Sequence, residues 1–317
     1  MKVSQSKVTK WRTCKLAYYY SYVMKLRPRR PARRALQFGR MAHEMIEADA
    51  NGDDPFQLLR DWMDKHKDMF EEEKEHYGDI LGSVQMIMQA YWEYWKDDPL
   101  RFVRREKKSA EHYIELDIGN GLKLIGYVDA VGKAKGLRWL VEHKSFSRKP
   151  SEDHRWRNVQ AAVYIHALRE MGWPEIHGIV WDYIKSKEPT KPAILKNRTM
   201  SKAKIETLPA AVYKVINDNE DIVEADCQAQ LEMARASLPS YFSRVYQPVN
   251  HDVMSVLWNE FVVDALEMAD NHGKRLPRCI GQHCEWCDYN PLCRLELEGG
   301  DVDYAIENDY IKKKREG

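Results

Sequence analysis

The sequence predicts a mixed α/β fold in which a central mixed sheet is flanked by helices. Between Glu111 and Phe146, three β-rich segments alternate with glycine-containing turns, as in an antiparallel meander. Helical patterns precede and follow this region. The 317 residues, 44% of them hydrophobic, suffice to bury a sizeable core without disulfides. We therefore expect residues 1–317 to form a single domain.

The N-terminal third is predicted to be helical. An aromatic-rich helix should occupy residues 1–24. Two prolines in the basic run from Lys25 to Arg34 predict a loop. Apolar residues at helical spacing then predict further helices, and residues 51–100 are interpreted as a helical insertion. These helices are expected at residues 36–50, 54–70 and 77–95.

The rest of the chain continues the alternation of strands and helices. Strands are expected at residues 111–118, 122–131, 137–146 and 176–185, and helices at 151–171, 201–238 and 252–271. A charged tail from Lys312 to Glu316 is expected to fray.

Composition excludes several classes of function. The net charge of +1 gives no global basic field, so any contact with nucleic acid must use local patches. No apolar run reaches the length of a membrane span, and the N-terminal segment lacks the apolar core of a signal peptide. We therefore expect a cytoplasmic protein with reduced thiols. A phosphate-binding loop of an ATPase is absent from the sequence.

Charged residues interrupt an apolar strand pattern in the middle of the chain. Glu142 and Lys144 are two positions apart and therefore share one face of a strand. Asp129 lies on the preceding strand. Carboxylates of this kind can hold Mg²⁺, and a lysine beside them can offset the charge of a phosphate. An isolated pair of this type is more often a surface ion pair.

Two further motifs, and the order of all four motifs, change this interpretation. The sequence contains G-x-x-x-H at Gly39–His43, G-x-x-D at Gly126–Asp129, E-x-K at Glu142–Lys144 and Q-x-x-x-Y at Gln160–Tyr164. His43 and Glu47, like the two ends of the last motif, are four apart and share a helix face. In this order, the four motifs resemble the RecB-like branch of the PD-(D/E)XK nuclease superfamily.

The resemblance implies a restriction-endonuclease-like core and a Mg²⁺ or Mn²⁺ centre. The implied metal ligands are His43, Asp129, Glu142 and the main-chain carbonyl of His143. Lys144 corresponds to the catalytic lysine, while Gln160 and Tyr164 would position the DNA strand. His143 departs from the family pattern, in which an aliphatic residue is usual. We expect its side chain to affect packing on the opposite face of the strand.

A cysteine cluster near the C-terminus predicts a second metal centre. Cys284, Cys287 and Cys293 have the close spacing of metal ligands, and coordination chemistry alone fits both tetrahedral zinc and a [4Fe–4S] cluster. The candidates for the fourth ligand are Cys14, Cys227 and Cys279.

The same resemblance favours the iron–sulfur cluster. An iron–sulfur subgroup of the RecB-like nucleases, which includes a CRISPR-associated exonuclease and the AddB nuclease domain, uses one cysteine before the catalytic histidine and three near the C-terminus. Cys14 matches the first ligand. Residues 1–24 and 275–298 would then form one cluster-binding region that staples the two ends of the nuclease domain. Cys279 has no assigned role.

The implied activity is that of a metal-dependent DNA exonuclease acting on single-stranded DNA or DNA ends, in recombination, repair, or phage or CRISPR DNA processing. Arginines at positions 27, 29, 30, 33 and 34 suit phosphate contacts. The alternatives are a structure-specific endonuclease, a noncatalytic DNA-end-binding subunit and a zinc-stabilised scaffold. The sequence leaves open whether the chain forms a homo-oligomer or binds a recombination or repair protein.

Overall fold

The structure is a computed structural model that describes residues 1–105 and 108–312. Within these residues, seven strands form one mixed sheet. The strands are β1 (Lys2–Val3), β3 (Arg101–Phe102), β4 (Ala110–Asp117), β5 (Lys123–Ala134), β6 (Leu137–Phe146), β7 (Gly178–Lys185) and β8 (Phe242–Pro248). A separate ribbon pairs β2 (Leu26–Pro28) with β9 (Tyr310–Lys312).

Helices cover both faces of the sheet, so the predicted mixed α/β fold is confirmed. The α-helices are α1 (Gln5–Thr13), α2 (Lys15–Tyr18), α3 (Arg34–Asn51), α4 (Pro55–Lys67), α5 (Glu71–Tyr77), α6 (Ile80–Trp95), α7 (Glu152–Trp156), α8 (Val159–Glu170), α9 (Pro209–Asn217), α10 (Gln228–Tyr241), α11 (His251–Asp270), α12 (Asn290–Leu297) and α13 (Val302–Asp309). A π-helical turn spans Tyr19–Val23, and 3-10 turns span Glu224–Cys227 and Gln282–Trp286.

The sheet has the order β1-β5-β6-β7-β8, with β3 and β4 paired along the other edge of β5. The pair β6–β7 is parallel, whereas β4–β5, β5–β6 and β7–β8 are antiparallel. Strand β6 therefore has neighbours of opposite direction on its two sides. A parallel pair needs a long crossover, which α7 and α8 provide.

Two apolar cores hold the helices against the sheet. On one face, α1, α8 and α11 pack against Leu140 and Trp181 of the sheet. On the other face, α3 and α6 pack around Ile184 and Phe242. Because both faces are covered, β7 is apolar at nearly every position, as expected of a strand buried on both sides.

Two segments distant in sequence, residues 14–28 and 278–312, meet in a small lobe, which we call the cysteine lobe. Its core includes Tyr20, Leu292 and Tyr310. The Tyr289 hydroxyl donates to the main-chain carbonyl of Leu26 at 2.8 Å, and the Tyr310 hydroxyl donates to the carbonyl of Asp288 at 3.0 Å. The first bond ties the C-terminal turns to β2, and the second ties them to β9.

Several predicted elements are wrong in detail. The basic run expected to be a loop contains β2, because a partner strand more than 280 positions away supplies its hydrogen bonds. The helix expected over residues 151–171 is interrupted at Arg157 and Asn158, where the Asn158 side chain caps α8. Residues 201–208 lie outside any helix, although 201–238 was predicted helical.

Some expectations have no structural test. The tail beyond Lys312 lies outside the described residues. The domain limits, including the insertion over residues 51–100, stay predictions. In the described residues, no helix has the length and apolar character needed to cross a membrane.

Candidate active site

A gap in the sheet creates the candidate active site. Strand β4 covers one edge of β5, while on the other edge β5 pairs with β1 only at Lys123 and Leu124, and with β6 only from Ala130 onward. Residues 125–129 of β5 have no strand neighbour on that second edge within the described chain. Asp129 is the last residue of this gap. Glu142 is the first residue of β6 after the part of that strand that pairs with β5.

Side chains replace the missing ladder bonds. The main-chain amide of His143 donates to Asp129 Oδ2 at 2.8 Å. On the next position of the same strand, Lys144 Nζ donates to Glu142 Oε1 at 2.5 Å and to Gln160 Oε1 at 3.2 Å. The structure therefore brings together two carboxylates, a lysine and an amide that the sequence placed on three separate elements.

Helix α3 brings His43 to the same place. Its approach to β6 is close, since a Cβ on Gly39 would lie 2.6 Å from Ser145 Oγ. His43 Nδ1 lies 3.7 Å from Asp129 Oδ2. Burial, followed by the charge of His143, lowers the pKa of His43 to about 4. His43 is thus neutral at pH 7, which is the form that binds metal ions.

The carboxylates repel one another in a poorly solvated site. Burial and the charge of Asp129 raise the pKa of Glu142 to about 7. Burial also raises the pKa of Asp129. Burial would lower the pKa of Lys144, but the charge and hydrogen bond of Glu142 raise it above its ordinary value. The lysine stays charged and offsets only part of the negative charge.

Sequence reasoning missed a further carboxylate, Glu111. It has a left-handed backbone conformation with φ of 53°, and the β4–β5 register passes over it. Burial, followed by the charge of Asp129, raises its pKa to about 7. A non-glycine residue in this conformation is uncommon and is found at functional sites. At the start of a strand, Glu111 gave no signal that distinguishes it from a solvent-facing residue.

Comparison with known proteins identifies the family of this chain. Residues 2–294 match the family described as the PD-(D/E)XK nuclease superfamily. The chain belongs to this superfamily. No curated protein matches the nuclease.

Two solved structures are similar to the nuclease at low identity. One, described as a "putative exonuclease" from Eubacterium rectale, is 11% identical, with 95% of this chain and 94% of that chain covered and a TM-score of 0.47. The other, named SSO0001, is 11% identical, with 92% of this chain and 85% of that chain covered and a TM-score of 0.33.

The superfamily implies a divalent metal ion, and the carboxylates of the nuclease fit one. Glu142 is only 2% exposed, yet its Oε2 has no hydrogen-bond partner among the described residues. A buried carboxylate oxygen without a partner is costly, and a cation would satisfy it. In residues 1–105 and 108–312, no group of three or more His, Cys, Asp or Glu side chains is arranged to hold a metal ion. Main-chain or water oxygens would complete the shell, as is usual for Mg²⁺.

Tyr164 lies deeper than a residue that lines an open cleft. It is 8% exposed and belongs to the core between α8 and the sheet. Its ring lies beside Gly126, where a Cβ would be 3.5 Å from it. Burial, followed by the charge of Glu142, raises the pKa of Tyr164 to about 12. The hydroxyl therefore stays protonated and can donate a hydrogen bond towards the site.

The side chain of His143 lies in a buried polar network on the other face of β6. His143 Nδ1 is 3.0 Å from Asp182 Oδ2, and the Tyr91 hydroxyl donates to the same oxygen. Arg244 lies 3.3 Å from Asp182 Oδ1 and 2.7 Å from Asp98 Oδ1. As expected, the His143 side chain lies on the opposite face of the strand. There it joins a hydrogen-bonded network that the sequence pattern did not reveal.

This network fixes the strand that carries the site. Burial would raise the pKa of Asp182, but the hydrogen bond from His143 and the charge of Arg244 lower it to about 2. Burial likewise opposes the charged form of His143, while the hydrogen bond to Asp182 raises its pKa. Charges that are removed from water require such partners. The one sequence signal was Asp182 itself, an acid inside an otherwise apolar strand.

A cleft next to Lys144 is strongly basic. It encloses about 1130 Å³, its open mouth included, and sequence reasoning missed most of its cations. We call it the basic cleft; its charged and titratable lining residues are Lys144, Arg148, Lys149, His154 and Arg155. Trp181 and Tyr183 form its apolar wall. A polyanion could be held here directly beside the lysine of the site.

Five cysteines line one cavity in the cysteine lobe: Cys14, Cys279, Cys284, Cys287 and Cys293. The amide of Cys279 donates to Cys14 Sγ at 3.4 Å, and Arg278 donates to Cys293 Sγ at 3.3 Å. Cys227 is buried in a separate core near α9 and α10. The structure thus brings Cys14 to the C-terminal cysteines, along with Cys279, for which the sequence gave no role.

Proposed function

We propose that the nuclease is a metal-dependent deoxyribonuclease that removes nucleotides from single-stranded DNA or DNA ends. The convergence of Asp129, Glu142, Lys144 and Gln160 at the gap of the sheet carries the proposal. The basic cleft beside Lys144 supports a polyanionic substrate.

His43, Asp129, Glu142 and the main-chain carbonyl of His143 would hold the metal ion. A bound divalent ion would stabilise charge on the scissile phosphate and lower the pKa of a water molecule. Lys144 keeps its proton and faces the position of that phosphate, where it stabilises developing negative charge. Gln160 and Glu142 both accept hydrogen bonds from the lysine ammonium group and thereby fix its direction.

Degradation of end-labelled linear single-stranded DNA in Mg²⁺ or Mn²⁺ tests this proposal. Asp129→Ala and Lys144→Ala should each lower the rate at least about a hundredfold, since each removes charge that acts on the transition state. Lys133→Ala, an exposed lysine of β5, is the matched control and should retain the wild-type rate.

Closed circular single-stranded DNA distinguishes the kinds of nuclease. If circular and linear strands are cut equally fast, the enzyme is an endonuclease. If the wild type cuts neither with either metal, a noncatalytic DNA-end-binding subunit replaces the proposal. Labels at the 5′ and the 3′ end give the polarity.

We further propose that Cys14, Cys284, Cys287 and Cys293 hold a [4Fe–4S] cluster, as in the iron–sulfur branch of the RecB-like nucleases. Their position around one cavity supports this. A cubane takes one thiolate on each iron, whereas zinc needs all its sulfurs about 2.3 Å from a single ion. The hydrogen bond from Arg278 to Cys293 Sγ would offset thiolate charge.

Metal analysis tests the cluster. Anaerobically purified protein should contain about four iron atoms per chain and absorb visible light. Cys14→Ser should lower the iron content, and Cys227→Ser, the matched control in a separate core, should not. Loss of iron from Cys279→Ser but not from Cys14→Ser would assign the fourth ligand to Cys279. Stoichiometric zinc in a colourless protein would refute the cluster.

A further inference from the structure

A second groove lies between the cysteine lobe and the start of α3. It encloses about 1310 Å³, its open mouth included. We call it the distal groove; the residues used below are Arg27, Arg29, Arg30, Arg33, Trp286 and Asp288. It is separate from the basic cleft, with which it shares no lining residue.

The distal groove carries a strong excess of positive charge. Among the residues named above, four are exposed arginines and one is an acid. The acid, Asp288, lies 3.5 Å from Arg30. Arg29 donates to the main-chain carbonyl of Glu307 and has no ion pair within the described residues. Within the described residues, Arg27 and Arg33 have neither an ion pair nor a hydrogen bond through their side chains. The groove therefore attracts anions, and arginine favours phosphate among them.

An exposed tryptophan forms part of the same wall. Trp286 is 57% exposed, although it lies in the tight turn between Cys284 and Cys287. That turn is held by the amide of Cys287, which donates to the Cys284 carbonyl at 3.2 Å. A large aromatic face is thus presented to solvent on a rigid support. Nucleobases stack on such faces, and the stacking tolerates any sequence.

The distal groove leads towards the candidate active site along one face of α3. Leu36, at the edge of the groove, Arg40 and His43 follow one another at spacings of four and three and share a helix face. Leu36 is 68% exposed, which leaves this path open to solvent at the groove end. At 1.5 Å per residue, Leu36 and His43 are about 10 Å apart along the helix axis. This distance corresponds to roughly three stacked nucleotides at about 3.4 Å each.

We propose that the distal groove binds unpaired nucleotides of the DNA strand whose scissile phosphate lies at Asp129 and Lys144. Trp286 stacks on a base, and Arg27 and Arg33 contact phosphates. Bases inside a duplex are stacked on both faces, whereas an unpaired strand can offer a base face at every position, so this groove selects single-stranded over duplex DNA. The inference rests on the proposed nuclease function and names its substrate class.

Binding to a fluorescent single-stranded oligonucleotide in EDTA, where a metal-dependent nuclease cannot cut, tests the groove. Trp286→Ala should weaken binding by roughly five- to 150-fold, the range for loss of one stacked base. Trp286→Phe keeps an aromatic face and should retain most of the affinity. Tyr304→Ala is the matched control, because Tyr304 is 66% exposed on the same lobe but does not line the groove.

The salt dependence of binding tests the arginines separately. The double variant Arg27→Gln, Arg33→Gln should reduce the slope of log affinity against log salt concentration by roughly 1.4, about 0.7 for each lost phosphate contact on a single strand. Unchanged affinity for Trp286→Ala, or an equal loss on blunt duplex DNA, overturns the proposal. An unchanged salt slope does so too. If Trp286→Ala fails to fold, the phenylalanine and arginine variants decide the question.

A cleavage assay of the wild-type protein distinguishes failure of the proposed function from failure of the groove proposal. If the wild type binds the oligonucleotide but does not cut it in Mg²⁺ or Mn²⁺, the proposed function fails while the binding measurements still decide the role of the groove. If it cuts, and the groove variants bind single strands as tightly as the wild type, the groove proposal fails alone.

Discussion

Replacing Glu142 by glutamine should stabilise the metal-free protein at alkaline pH. In the folded state, burial and Asp129 raise the pKa of Glu142 from 4.5 to about 7. Between these two values the folded chain holds a proton that the unfolded chain has released. The free energy of unfolding therefore falls as the pH rises from 4.5 to 7 and is constant above that range. The neutral amide of glutamine has no such dependence.

The magnitude follows from the size of the shift. A difference of about 2.5 pKa units corresponds to about 3 kcal/mol at pH 8, since each unit is worth 1.36 kcal/mol. At pH 5 the same linkage destabilises the wild type by only about 1 kcal/mol. The glutamine can still accept the hydrogen bond from Lys144, so the loss of charge is the main change. The charged carboxylate at this position thus lowers the stability of the metal-free protein.

Urea denaturation followed by circular dichroism in EDTA measures this difference at pH 5 and pH 8. Glu71→Gln, which replaces an exposed acid on α5, is the control and should change stability by less than about 0.5 kcal/mol. Addition of Mg²⁺ should stabilise the wild type more than Glu142→Gln, because only the wild type offers both carboxylates. A variant that is no more stable than the wild type at pH 8, or equally more stable at both pH values, would refute the reasoning.

Two further predictions concern residues around the site. Gly39→Ala should lower the free energy of unfolding by about 1–3 kcal/mol because the new methyl group meets Ser145 Oγ at 2.6 Å. The same change in a Ser145→Ala background should cost little, because the nearest remaining atom, the Cβ of residue 145, is 3.5 Å away. Equal costs in both backgrounds would contradict the close approach of Gly39 to Ser145. Asp182→Asn should cost about 3–5 kcal/mol in urea denaturation, as it leaves buried cations without their acid. Its pKa is lowered to about 2, so Asp182 itself stays charged at both pH 5 and pH 8. Asp182 also raises the pKa of His143, so its loss penalises the protonated imidazole and should cost more at pH 5 than at pH 8. Asp221→Asn, whose partner Arg198 is 76% exposed, should cost less than about 1 kcal/mol, and a similar cost for both variants would argue against the buried network.

Elements with a strong local pattern could be predicted from the sequence. Strands β4 to β6 have alternating side chains between glycine turns, and their positions agree within a few residues with the structure. Strand β8 was missed because it follows α10 directly, with Tyr241 as the last helical residue and Phe242 as the first strand residue. No turn residue separates them. Strand β9 is three residues long and exists through its pairing with β2.

The site was predictable where short motifs carry its chemistry, and it was not where contacts join distant residues. Asp129, Glu142 and Lys144 stood out because charge interrupts apolar strands. Glu111 joins them through an unusual backbone angle, which residue types do not reveal. Tyr91 and Arg244 each have an ordinary local context, so their meeting around Asp182 depends on packing.

The meeting of residues 14–28 with residues 278–312 in the cysteine lobe bears on how the protein is made. Strand β2 and the helices around Cys14 emerge from the ribosome long before their partners at Cys284–Tyr310. At 5–20 residues per second, synthesis of the intervening stretch of about 250 residues takes on the order of 10–50 s. Until then, Tyr18 and Tyr20 lack their contacts with His272 and Tyr289. Contacts so distant in sequence slow folding, so the nascent segment around Cys14 stays exposed to chaperones and aggregation during this interval.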